Sequence, residues 1–211
     1  MLKKAIGTVV VLLGALHFQN VFAQEWSANL GYNSEYIFRG IPQKTSSAFG
    51  GVDFAAGGFS AGVWSADVGD GLEVDLYSAY GVEVGDVGLS VGGTWYTYTG
   101  DFDNDYLELN LGATWKFLSF DVALGKYDSD PKQDYQFYSI TASHAGFYGK
   151  IGTFGGDFDG SYYEAGYGNN LTIKDVDIFD YAIAVIYSDS TLLGGDADTN
   201  LVFTLTKNFS F

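Results

Sequence analysis

The stretch 200–211 reads N-L-V-F-T-L-T-K-N-F-S-F. One parity carries Leu201, Phe203, Leu205, Lys207, Phe209 and Phe211, and the other carries Asn200, Val202, Thr204, Thr206, Asn208 and Ser210. A period of two puts these sets on opposite faces of a strand, one oily and one mostly polar. The strand ends on Phe209 and Phe211 with no polar tail to shield an edge, so it is expected to need a partner. If the partner is the first strand, the sheet closes into a barrel whose oily outside requires lipid.

The same alternation recurs upstream. Trp26 to Arg39 sets Trp26, Ala28, Leu30, Tyr32, Tyr36 and Phe38 against Ser27, Asn29, Gly31, Asn33, Glu35 and Arg39. A loop from Gly40 to Ser47, containing Pro42, is expected to lead to strands over about 48–56 and 59–66 joined at Gly57-Gly58. A longer acidic loop with Asp67, Asp70 and Gly71 then precedes a strand through Val74, Leu76, Tyr80, Val82 and Val84, which turns at Gly85-Asp86. A strand over about 87–99, the acidic loop 100–105, and a strand from Leu107 to Phe117 follow, turning near Leu118-Ser119 into Phe120, Val122 and Leu124.

Beyond a loop with Asp128, Asp130, Pro131 and Asp134, the strand over about 135–143 has two competing outward faces, Tyr135 and Phe137 or Tyr138 and Ile140. A turn near Ala145-Gly146, a ninth strand, the loop 155–160, a strand over about 162–173, the turn Lys174-Asp175, an eleventh strand through Phe179 to Tyr187 and the loop 188–199 complete the chain. This predicts an all-β fold, an antiparallel transmembrane β-barrel of about 12 strands. Tight turns alternate with longer acidic connections, the asymmetry of short periplasmic turns and longer extracellular loops in outer-membrane barrels. Twelve strands of about ten residues use roughly 120 residues, which leaves no room for a plug domain.

Composition sharpens the picture. The 211 residues include 18% aromatic, 29 Gly, 2 Pro and no Cys, as in a β protein that does without disulfides. Lys3 and Lys4, the apolar run Ile6 to Leu16 and the site Val21-Phe22-Ala23 predict a cleaved secretory signal peptide over 1–23, and a single barrel domain over 24–211. Of ten basic residues the signal peptide takes two, leaving eight against 26 acidic ones and a mature net charge of −18. So acidic a chain is not expected to bind nucleic acid.

Two stretches carry a family resemblance. Tyr32-Asn33-Ser34-Glu35-Tyr36-Ile37-Phe38-Arg39-Gly40-Ile41-Pro42-Gln43 resembles the signature near the mature N-terminus of the TorF family of bacterial porins. Glu73-Val74-Asp75-Leu76-Tyr77-Ser78-Ala79-Tyr80 is similar to that family's second recurrent stretch. The resemblance implies an outer-membrane barrel with a pore role and supplies no substrate. The terminal Phe211, with Phe209, also resembles the signal by which the outer-membrane assembly machinery recognises its clients.

Candidate chemistry is sparse. His144 is the one histidine of the mature chain, and it falls beside an expected periplasmic turn. With no thiol available, nothing points to an enzyme. The loops Gly100-Asp101-Phe102-Asp103, Gly156-Asp157-Phe158-Asp159 and Gly195-Asp196-Ala197-Asp198, with Asp105, space carboxylates as oxygen-rich Ca2+ or Mg2+ sites do. Solubilising loops facing the lipopolysaccharide layer show the same pattern. No cofactor is expected beyond such loop-bound ions.

Glu35, Arg39, Asp53, Glu73, Asp75, Glu108, Lys116 and Glu164 share the lumen parity. They line a pore or pair across it and close it, and charge counting leaves both open. The expected function is passive diffusion of small solutes across the outer membrane with a cation preference. The alternative is a closed structural or surface-interaction barrel whose acidic loops bind divalent cations or a partner.

Overall fold

The computed structural model describes residues 24–211, and the expected signal peptide lies outside them. Twelve strands follow in order: β1 (Glu25–Phe38), β2 (Ile41–Ala56), β3 (Phe59–Gly69), β4 (Gly71–Val84), β5 (Val87–Tyr98), β6 (Tyr106–Trp115), β7 (Leu118–Tyr127), β8 (Gln133–His144), β9 (Phe147–Gly156), β10 (Ser161–Ile173), β11 (Val176–Ser188) and β12 (Asp198–Ser210). Each pairs antiparallel with its chain neighbours, and β12 pairs with β1 from Ser27↔Ser210 to Asn33↔Thr204. Closure removes the free edge that the final strand would otherwise present. Inside that seam, the Phe211 N–H donates to the Trp26 carbonyl at 2.9 Å.

The apolar parity faces outward all round. Leu30, Val63, Leu76, Val91, Leu109, Ile140, Ile151, Ile183 and Leu201 are exposed on the barrel's outside. Trp26, Trp115 and Phe147 ring the end that carries the termini, and Trp95, Tyr163 and Tyr187 ring the other. Such an apolar belt between aromatic girdles is the surface that hydrocarbon and its interfaces stabilise. The ambiguous eighth strand resolves with Tyr138 (45% exposed) and Ile140 (38%) outward and Tyr135 (4%) and Phe137 (3%) inward.

At the end carrying the termini, all five connections are two-residue turns: 57–58, 85–86, 116–117, 145–146 and 174–175. Several hold both residues at positive φ, such as Gly57 and Gly58 (55° and 85°), the type I′ geometry whose twist matches paired strands. At the opposite end the connections vary, and across both ends three expectations need correction. The β3–β4 loop shrinks to Asp70 alone, because Asp67 still belongs to β3. The β6–β7 turn falls two residues earlier than the sequence suggests, which takes Lys116 out of the lumen wall. Lys116 sits in the turn at φ 57°, with its ammonium 4.8 Å from the Trp115 ring centroid.

The largest correction concerns 40–47, which is no loop. β2 begins at Ile41 and pairs with β1 out to Phe38↔Ile41, across a turn formed by Arg39 (φ 48°) and Gly40 (φ 82°). Pro42 suggested a break, yet a proline is tolerated where no neighbouring strand needs its missing N–H. That condition holds here: β2–β3 pairing starts only at Phe49↔Ala66, and β1–β12 pairing stops at Asn33. Residues 34–48 therefore form a hairpin bonded along its length to itself.

Candidate functional site in the barrel lumen

The free hairpin folds into the barrel mouth. Tyr36 and Phe38, expected on the lipid face, point instead into the lumen, where Tyr36 is 1% exposed and Ile37 3%. Tyr36 and Ile37, on either side of a bulge, are both buried because the hairpin as a whole bends into the mouth. Ile37 joins a core of Tyr135, Phe137, Phe154, Tyr162, Ile186 and Val202, drawn from five strands of the wall. On the other side Tyr36 packs edge-on against Trp64 at 5.7 Å, and Phe38 lies 5.6 Å from Tyr96. Gly40 is required at the tip. A Cβ there would come within 2.6 Å of Tyr162 and 2.9 Å of Leu192, and the Gly40 carbonyl accepts from Ser188 Oγ at 2.6 Å.

Arg39 is the latch. Its guanidinium donates from Nη1 to Glu108 Oε1 at 2.6 Å and from Nη2 to Oε2 at 3.0 Å. The Phe137 ring lies 4.3 Å from its Cζ. Glu108 also accepts from Tyr135 (2.7 Å), Tyr96 (3.1 Å) and Asn110 (2.9 Å), so its buried charge is fully partnered. A bidentate Arg–carboxylate pair inside a low-dielectric site is strong when every remaining lone pair is satisfied. An arginine at positive φ is an uncommon backbone state, held here by the contacts at its far end.

Along β4, Glu73 and Asp75 face the same side of the lumen with 2% and 0% exposure. Glu73 Oε1 accepts the Tyr36 hydroxyl at 2.9 Å, which ties the hairpin to a second wall strand. Toward the end carrying the termini the lumen turns polar. Asp53 accepts the Tyr77 hydroxyl, Asp121 the Ser139 hydroxyl at 3.1 Å, and Glu164 the Tyr148 hydroxyl. Lys150 stands directly opposite Glu164, and Asp180 accepts from Asn170 and Asn208.

Of the residues expected to line the lumen, Asp53, Glu73, Asp75, Glu108 and Glu164 do so from the wall. Arg39 enters it from the hairpin tip, and Glu35 lies on the hairpin opposite Thr45. Sequence reading passed over Tyr36, Tyr96, Tyr135 and Phe137, which hold the latch, and Asp121 with Lys150 below it. For Tyr96, Tyr135 and Phe137 the signal was aromatic residues on the lumen parity near one end of the strand, whereas Tyr36 stood on the apolar parity of β1.

The loop carboxylates mostly brace their own loops. Asp103 accepts the Tyr106 and Tyr127 hydroxyls at 2.7 Å each, Asp105 the Trp95 indole at 2.9 Å, and Asp157 the Asp134 N–H at 2.8 Å. Asp159 and Asp198 accept the backbone N–H groups that follow them, and Asp101 and Asp196 occupy the β5–β6 and β11–β12 connections. Among the described residues no three carboxylate or histidine groups gather as a metal-binding cluster. His144 is exposed at the end of β8, beside the 145–146 turn.

Residues 21–151, more than half of the chain, match the Gcw_chp family, described as bacterial protein of unknown function. The chain belongs to the Gcw_chp family. No curated protein matches it. Among solved structures, one from "Unveiling the Mechanism Behind the in-meso Crystallization of Membrane Proteins" is similar at a TM-score of 0.56 and 10% identity, over 89% of this chain and 84% of that one. The outer membrane protein OprD from Pseudomonas aeruginosa aligns at 0.44 and 13% identity, over 94% and 67%. Pseudomonas aeruginosa OccK2 (OpdF) in complex with glucuronate aligns at 0.40 and 13%, over 94% and 68%. The first of these likenesses bears on architecture. Closed, girdled by aromatics and apolar on its outer face, this Gcw_chp protein is a barrel of the bacterial outer membrane.

Proposed function

We propose that this Gcw_chp barrel is a non-enzymatic outer-membrane channel for small solutes, of the kind the TorF resemblance implies, in which the β1–β2 hairpin forms the constriction. One observation carries the reading. The lumen toward the termini is lined by hydratable groups, Asp53, Asn110, Asp121, Lys150, Glu164 and Asp180, and this polar lining meets a hairpin that is latched to the wall. A barrel serving only as a scaffold gains nothing from a polar interior, because unpaired charges cost stability. The closed-barrel reading is favoured by the aromatic packing around Ile37 and Tyr36, which fills the mouth while the hairpin is docked.

The channel prefers cations. Acidic side chains outnumber basic ones on the loops and in the lumen, and their summed field attracts positive ions most strongly at low salt, where the Debye length is about 30 Å at 0.01 M. Its surroundings are outer-membrane lipid and lipopolysaccharide, reached through the assembly machinery that reads Phe209 and Phe211. Planar-bilayer recording of the refolded chain across a KCl gradient tests the proposal: small steps with a cation-selective reversal potential are expected. An anion-selective potential would show that Arg39 and Lys150 set the field and would refute the preference. Silence from folded protein both with and without the hairpin would refute the channel.

A further inference from the structure

The charge balance of the barrel mouth is incomplete. Arg39 is committed to Glu108 through both of its terminal nitrogens, and Lys44 is committed to Asp67 at the rim. Neither reaches β4. There Glu73 and Asp75 lie two residues apart on one face, about 7 Å along the strand. Asp75 is 0% exposed, and neither of its oxygens has a hydrogen-bond partner. Its lumen-side neighbours in register are Trp64 on β3 and Tyr96 on β5. The Tyr96 hydroxyl donates to Glu108 instead. The corresponding neighbours of Glu73 are Ala66 and Tyr98, and its one side-chain donor is Tyr36 of the hairpin.

A buried carboxylate with no donor is among the costliest groups a fold can hold, and proteins neutralise it with a partner or an ion. Asp75 is such a group, and Glu73 beside it has a single side-chain donor; among the described residues no cationic side chain is bonded to either, so the pair leaves two negative charges to balance. We propose that Glu73 and Asp75 hold a resident hard divalent cation, of the calcium or magnesium class, beneath the docked hairpin. The donor chemistry fits that class. The pair offers up to four carboxylate oxygens, oxygen is the donor such ions take, and their two positive charges match the two negative ones. The Tyr36 hydroxyl on Glu73 makes the hairpin the cover of the site, so the ion enters and leaves when the hairpin undocks. Bound there, it would fasten β4 to the hairpin at a second point besides the Arg39 latch. The site stands whether or not the lumen conducts, because it needs only the docked hairpin.

Terbium reports on it, since an excited tyrosine such as Tyr36 sensitises the emission of a bound lanthanide. Refolded wild-type barrel stripped with EDTA is expected to bind Tb3+ at one ion per chain, with calcium as competitor, and to unfold at a higher temperature in calcium than in EDTA. Asp75→Asn keeps the shape and removes the charge, and is expected to weaken binding by at least about tenfold. The loop variant Asp101→Asn/Asp196→Asn is expected to bind as wild type does. Retained binding in Asp75→Asn, or loss of binding in the loop variant alone, would overturn the assignment and place the ion in the loops. No binding to folded wild type would overturn it too, and would mean that the two carboxylates share a proton instead. If Asp75→Asn does not fold, the metal content of the dialysed loop variant still decides: one ion per chain upholds the site, and none overturns it.

Discussion

Replacing Arg39 by Ala isolates the latch. The guanidinium is 9% exposed and its partner carboxylate 0%, so the change removes one member of a buried pair and leaves the other behind. Breaking such pairs costs about 3–5 kcal/mol. The lower end applies, because Glu108 keeps the hydroxyls of Tyr96 and Tyr135 and the amide of Asn110. About 3 kcal/mol lost from hairpin docking raises the undocked population on the order of a hundredfold, at about 1.4 kcal/mol per decade. The wall retains its own ladders, so the barrel stays folded while the hairpin opens. A lysine-specific protease reads this through Lys44, which the docked hairpin holds against Asp67. When closing outpaces cleavage, the cutting rate follows the open population. Cleavage at Lys44 should therefore rise by on the order of a hundredfold in folded Arg39→Ala barrel. An unchanged rate would show that the aromatic packing alone docks the hairpin.

Two further outcomes follow from the packing. Deleting Phe211, which is 81% exposed and contributes one backbone hydrogen bond to Trp26, should change the stability of purified barrel by only about 1 kcal/mol. In cells it should reduce the yield of heat-modifiable, membrane-inserted protein while export across the inner membrane continues, and an unchanged yield would remove the assembly role of the terminal strand. Gly125→Ala places a Cβ 2.1 Å from the Tyr135 ring and should destabilise by about 1–3 kcal/mol in urea unfolding, loosening the Tyr135–Glu108 bond as well. Gly155→Ala, whose Cβ would meet only Gln136 Oε1 at 3.6 Å, should stay within about 0.5 kcal/mol of wild type.

The wall of the barrel was legible in the sequence because lipid enforces a single rule, which the outward residues of β6 and β11 follow and from which Ser78 in β4 and Lys207 in β12 depart only singly. The mouth was not legible, because a packed lumen and a lipid face both accept aromatic residues. Tyr36 and Phe38 continue the apolar parity of β1 and so read as lipid-facing, although the hairpin carries them inward. Lys116 followed the lumen parity of β6 because nothing local marks a two-residue turn when a lysine, rather than asparagine or glycine, takes the positive φ. The eighth strand was ambiguous for the same reason that the mouth is filled: Tyr135 and Phe137 are apolar on the inside and pack against Ile37. Aromatic residues on both faces of one end of a strand are the readable sign that something packs within.

The most direct test replaces 34–46 with Asn-Gly, which turns the chain immediately beyond the Asn33↔Ser47 pair and leaves the wall ladders in place. Conductance of this shortened barrel is compared with wild type in the same bilayer. The hairpin as constriction predicts small or rare openings for wild type and larger, sustained steps for the shortened barrel. Equal conductances, or a folded shortened barrel that passes no current, would contradict it.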